Sequence, residues 1–182
     1  MKVERAEILD FVTYGEQRAE IQATALAAKR LRRVVVADCL TFLFENAVTM
    51  RYQILEMIRT ERIVREKDIQ HEIDTYNELI GQDGELGVTL LIGIESPAER
   101  DEKLRRWVDM LPHVYVRLAD GTRVRARWDE RQISRERLSS VQYLKFAVGG
   151  RAPVACGVDF AGELVGETAL SDEQQAALAG DF

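Results

Sequence analysis

Cysteine is scarce in this chain, limited to Cys39 and Cys156, which lie far apart in sequence. Two such residues make no CxxC pair, no thiolate cluster and no disulfide framework, so free buried thiols are the expected state. Histidine is equally scarce, with only His71 and His113. A zincin needs His-Glu-x-x-His on one helix, but His71-Glu72 is followed by Thr75 where the second imidazole belongs. A ferritin-like di-iron centre needs Glu three residues before each His, and neither histidine has it. Asp68 with His71 has i, i+3 spacing, which a solvated helix face explains. No GxGxxG, GxxxxGK[ST] or GxSxG occurs, removing the usual signatures of nucleotide binding and serine hydrolysis.

Long apolar runs are also missing. Stretches such as Leu86 to Ile94 reach about half of the ~20 residues that span a bilayer. The start carries Lys2, Glu4, Arg5 and Glu7 in place of an apolar signal core, so a cytoplasmic protein with no membrane association is expected. Basic residues stop at Arg151, while Asp159, Glu163, Glu167, Asp172, Glu173 and Asp181 follow. These six acids carry the whole net charge of −6, which speaks against nucleic-acid binding along the whole surface.

What is present suits one folded unit. At 182 residues, 46% hydrophobic and 31% charged, the chain can bury roughly two-thirds of its unfolded surface without a disulfide or metal. Glu16 to Arg33 is Ala-rich, free of Gly and Pro, and basic at its end, which predicts a helix. Val34 to Phe44, rich in β-branched and aromatic residues, predicts a buried strand with a bulge or turn at Asp38. Helical spacing over Ala47 to Ile63 and Lys67 to Ile80 predicts a helix pair stopped by Gly81 to Gly84. Glu85 to Glu95 alternates as a central strand. Ser96 and Pro97 open a charged helix ending near Leu111.

Strands are predicted over His113 to Leu118, Thr122 to Trp128, Val141 to Val148 and Val154 to Phe160, with a hairpin turn at Gly149-Gly150. Ser171 and Gln174 form a capping box for a last helix. The fold class is therefore α+β: one domain over 1–182, with a long N-terminal helix, a mixed or antiparallel sheet, a helical pair and a C-terminal set of antiparallel strands. Residues 1–96 form its first part and 97–182, the helix and hairpin part, its second.

Two polar constellations stand out. Around Asp120-Gly121, a three-residue turn pairs Leu118 with Thr122, Val116 with Val124 and Val114 with Ala126, giving one apolar face. The opposite face then holds His113, Tyr115, Arg117, Arg123, Arg125 and Arg127, a candidate anion-binding surface for phosphate, nucleic acid or an acidic partner. Like charges facing each other need anions between them. The pattern favours this protein's own acids in that place, from Asp129, Glu130 or the acidic tail.

The second constellation spans the helix pair. Thr49, Gln53, Glu56 and Thr60 share a sector of about 60° on one helix. On the next, Glu72 lies at the edge of the face formed by Ile69, Ile73 and Ile80, where a carboxylate needs a partner. Arg51 is the candidate for a structural pair with it. Glu45, Asn46, Gln53, Glu56, Glu72, Tyr76 and Asn77 make up the candidate polar pocket.

The segments TFLFEN (41–46), QILEMIRTERI (53–63), IQHEIDTYN (69–77), ELGVTLLIGI (85–94), VQYLKF (141–146) and the closing LSDEQQAAL resemble a bacterial family of unknown function. The likeness extends over most of the chain. Gly81 stands where that family often has Pro, which implies a looser turn before Glu85. Genes of the family often lie near those for rubrerythrin and a cysteine-rich iron–sulfur oxidoreductase, so the resemblance implies a link to redox or peroxide metabolism. It also implies the iron–sulfur oxidoreductase or rubrerythrin as the partner; the sequence itself leaves open whether a second copy of the chain is another.

The leading expectation is a non-enzymatic accessory protein of such a system, with no metal or other cofactor of its own. The alternatives are a small-molecule enzyme using the polar pocket, and an anion or nucleic-acid binding module using the arginine hairpin.

Overall fold

Period-two alternation of apolar residues builds two four-stranded sheets, and the 3.6-residue period adds helices on the outer side of one of them. The computed structural model describes residues 2–182 apart from Ile133 and Arg135. The first sheet has the order β1-β2-β3-β6, from Arg33–Val36 (β1), Leu40–Glu45 (β2), Leu86–Ile92 (β3) and Val141–Phe146 (β6). The second has the order β5-β4-β7-β8, from Val114–Arg117 (β4), Arg123–Arg125 (β5), Ala155–Phe160 (β7) and Leu164–Ala169 (β8). Every pairing is antiparallel. The molecule is a single α+β domain.

The inner faces share one core. Phe42, Phe44, Val88, Leu90, Leu144 and Phe146 of the first sheet meet Val114, Val116, Cys156 and Val158 of the second. A second core lies among the helices α1 (Phe11–Arg30), α2 (Ala47–Glu61) and α3 (Glu66–Asn77), where Tyr14, Ile54, Leu55, Ile58, Ile69 and Ile73 pack with Val3 and Ile8. Two shorter helices, α4 (Pro97–Arg106) and α5 (Asp172–Ala179), add Leu104 and Leu178 to the first core. Ser96 caps α4 and the Ser171–Gln174 capping box opens α5. No helix among the described residues is long and apolar enough to cross a membrane.

Four local expectations are corrected. Val34 to Phe44 is a hairpin, because Ala37 and Asp38 both adopt left-handed φ (48° and 61°) and reverse the chain. Gly149-Gly150 is a crossover: β6 ends in the first sheet and β7 lies in the second, so the two left-handed glycines carry the chain between layers. Strand β8, unforeseen, pairs with β7 and ties Thr168 Oγ1 to Val35 O at 2.7 Å. Helix α1 begins at Phe11, where Asp10 accepts from the Val12 and Thr13 amides.

Candidate functional site

In β2 the residues Leu40, Phe42 and Phe44 turn inward, so Thr41, Leu43 and Glu45 face the helices. On β3 the register sets Leu43 beside Thr89 and Glu45 beside Gly87. Gly87 is required there: a Cβ would stand 1.8 Å from Leu79 O, so only glycine lets the segment that follows α3 approach the sheet this closely. Asn46 follows as N-cap of α2, its Oδ1 accepting from Thr49 N and its backbone N–H donating to Thr49 Oγ1. The capping box thereby aims Thr49 back at Glu45.

Glu45 is buried, with 5% of its surface exposed. Its Oε2 lies 2.6 Å from Thr49 Oγ1 and its Oε1 accepts from Thr89 Oγ1 at 2.7 Å. No ion pair reaches it among the described residues. Burial pushes the Glu45 carboxyl above the usual glutamate range, against the opposing pull of the two threonine bonds and of the Lys29 charge. Thr49 Oγ1 also lies 3.1 Å from Asn46 O. A proton on Oε2 is therefore accommodated: Glu45 donates to Thr49, which passes its own hydrogen to that carbonyl.

Beside this carboxyl opens a cavity of about 200 Å³ between the sheet and the helices. Gln53, Tyr76 and Lys29 supply its other polar groups, and Leu43, Met50 and Leu79 its apolar walls. Burial raises the Tyr76 phenol above its usual pKa, partly offset by its bond with Gln53. Tyr143 of β6 closes one side, and with Leu79 it also lines an adjoining cavity of about 490 Å³ that reaches Trp128, Arg127 and Lys145. The Lys145 ammonium donates to Ile80 O, and burial lowers its pKa.

Of the seven pocket candidates, Glu45, Gln53 and Tyr76 thus come together. Asn46 serves the α2 cap and donates to Asp181 at 2.9 Å. Glu56 faces α1, where its carboxylate accepts from Tyr14 and from Arg18 at 2.7 Å; the Arg18 bond holds its pKa low. Asn77 clasps the Val3 backbone. Glu72 is half-buried on α3, and Arg51 donates instead to Glu7 O at 2.9 Å, so the Arg51–Glu72 pair is not formed. Lys29, Thr89 and Tyr143 escaped the sequence reading. Only Thr89, a polar break in an apolar strand, carried a local signal.

The hairpin has the expected register, with Val116 opposite Val124 and Gly121 left-handed at φ 85°. Its arginines are paired within the fold. Arg117 holds Glu167, Arg123 and Arg125 share Asp159, and Arg127 pairs with Glu85. Arg123 and Arg125 also lie over the Tyr115 ring at 4.4 and 5.3 Å. Asp129 is occupied by Arg131. Among the described residues no group of three or more His, Cys, Asp or Glu side chains is placed to hold a metal. Burial raises both thiols, Cys156 further than the half-buried Cys39.

The family described as "Protein of unknown function (DUF3501)" matches residues 2–182. A crystal structure of a novel protein of unknown function from Burkholderia pseudomallei is similar over 100% of both chains, with 31% identity and a TM-score of 0.90. No curated protein matches.

Proposed function

For a chain that belongs to the DUF3501 family of unknown function, we propose a small-molecule binding role, with the ligand seated in the cavity beside Glu45. The observation that carries this is the Glu45 carboxyl itself: buried, without a cationic partner in contact, and open to a cavity with an amide and phenols around it. Burying a carboxyl costs stability, and fold requirements alone would be met by an apolar side chain there. The cavity suits a compact polar molecule that hydrogen-bonds to Glu45, Gln53 and Tyr76.

The protein acts in this reading as a non-enzymatic accessory component that binds and does not transform. The resemblance to proteins encoded beside rubrerythrin and an iron–sulfur oxidoreductase supports a redox setting for it. Neither the enzyme alternative nor the anion-binding alternative gains as much, since Glu72 and Asn77 stand outside the cavity and the four hairpin arginines are already paired. A fragment library screened by saturation-transfer NMR tests the proposal. Compact polar fragments should bind the wild type and lose binding in Glu45→Gln and Thr89→Leu. Fragments that bind all three proteins equally would overturn it, as would a screen without hits.

A further inference from the structure

Helix α1 is 20 residues long, about 30 Å, yet only Tyr14 and Ala25 of it are buried. Its inner side is held to α2 through Tyr14 and Arg18 on Glu56, and Gln22 on Tyr52 at 3.1 Å. The side turned away carries Val12, Glu16, Ala19, Ala23, Leu26 and Arg30, all exposed, at alternating spacings of four and three. That is the spacing of a seam between two helices. Val12 and Leu26 are 58% and 54% exposed. Val12 and Leu26 thus leave apolar surface on the side away from α2, where a second helix can cover it.

The charges choose the occupant. Glu16 stands toward one end of the seam and Arg30 at the other, with alanines at its centre. We propose that α1 is a homodimer interface, pairing antiparallel with α1 of a second copy about a two-fold axis near Ile21. Ala19 then faces the partner's Ala23, the small pair that lets two helix backbones come close. Leu26 faces the partner's Glu16 methylenes, and the partner's Arg30 lies one turn from Glu16. A parallel pairing would stack Glu16 on Glu16 and Arg30 on Arg30, so electrostatic complementarity selects the antiparallel one.

Sedimentation equilibrium on the full chain tests this. The wild type should be a dimer. Leu26→Glu and Ala23→Glu should be monomeric with unchanged circular dichroism, since both positions are exposed in the subunit. Glu16→Arg and Arg30→Glu should each weaken the dimer about tenfold, roughly 1.4 kcal/mol, and the two combined should restore it. A wild-type monomer, a dimer indifferent to Leu26→Glu and Ala23→Glu, or a double swap no tighter than the single ones would each overturn the proposal.

Discussion

Asn77 and Val3 exchange two hydrogen bonds across the fold: Val3 N donates to Asn77 Oδ1 at 2.8 Å, and Asn77 Nδ2 donates to Val3 O at 2.9 Å. The amide acts as a one-residue strand partner for the N-terminal segment and lets Val3 and Ile8 join the helical core. Asn77→Ala leaves both backbone groups unpaired in a buried place. It should cost about 1–3 kcal/mol, read as a lowered denaturant midpoint. An unchanged midpoint would show that the clasp is dispensable.

Glu45 gives the chain a defined pH dependence. Its folded pKa is raised above 4.5, so the folded state binds the proton more tightly than the unfolded chain. The stability it contributes is full below pH 4.5 and is lost as pH rises through the folded pKa. Glu45→Gln removes that loss. Thermal melts should show the variant gaining on the wild type as pH rises from 4.5, then a constant difference. A difference that shrinks with rising pH would contradict the raised pKa.

Arg32 and Asp181 form a buried ion pair at 2.8 Å, with side chains 10% and 9% exposed. Arg32 also donates to Ala28 O and Ala177 O, and Asp181 accepts from Asn46. Asp181→Ala strands a buried guanidinium and should destabilise by about 3 kcal/mol. Arg32→Met together with Asp181→Leu should recover much of that by double-mutant cycle. No recovery would mean that the link to Asn46 matters more than the charge pair.

Asp159 neutralises two arginines, Arg123 and Arg125, and its carboxylate is held below the usual aspartate range chiefly by Arg125. Asp159→Ala frees both. On heparin the variant should elute at higher salt than the wild type, with the slope of log affinity against log salt steeper by about two. A wild type that already holds heparin at high salt would show that the face is open in the native protein.

What was legible in the sequence was local. The turn at Asp120-Gly121 and its register follow from alternation, because the other register would mix Leu118 with Arg123 on one face. The caps at Ser96 and Ser171 were visible as side chains three residues from their targets. The layer joined by β6 was not, since membership of a sheet depends on strands far away in the chain. Glu56 showed itself as a polar helix position, but its partners Tyr14 and Arg18 belong to another helix. Glu45 was named for its type, while its buried setting depends on Thr89, which a strand distant in sequence sets beside it. Strand β8, with Gly166 and Glu167 inside it, alternates too weakly to announce itself.

The place of β6 also orders events during synthesis. Strand β3 pairs with β2 on one side as soon as both exist, but its other edge is filled by residues 141–146, which are made after α4, β4 and β5. Until then a long apolar strand has an open edge, ready to pair with any extended chain. The loop closed by the β3–β6 ladder is long, so this pairing forms late and slowly compared with the adjacent hairpin of β1 and β2. The nascent chain is thus most prone to aggregation while β6 is still inside the ribosome.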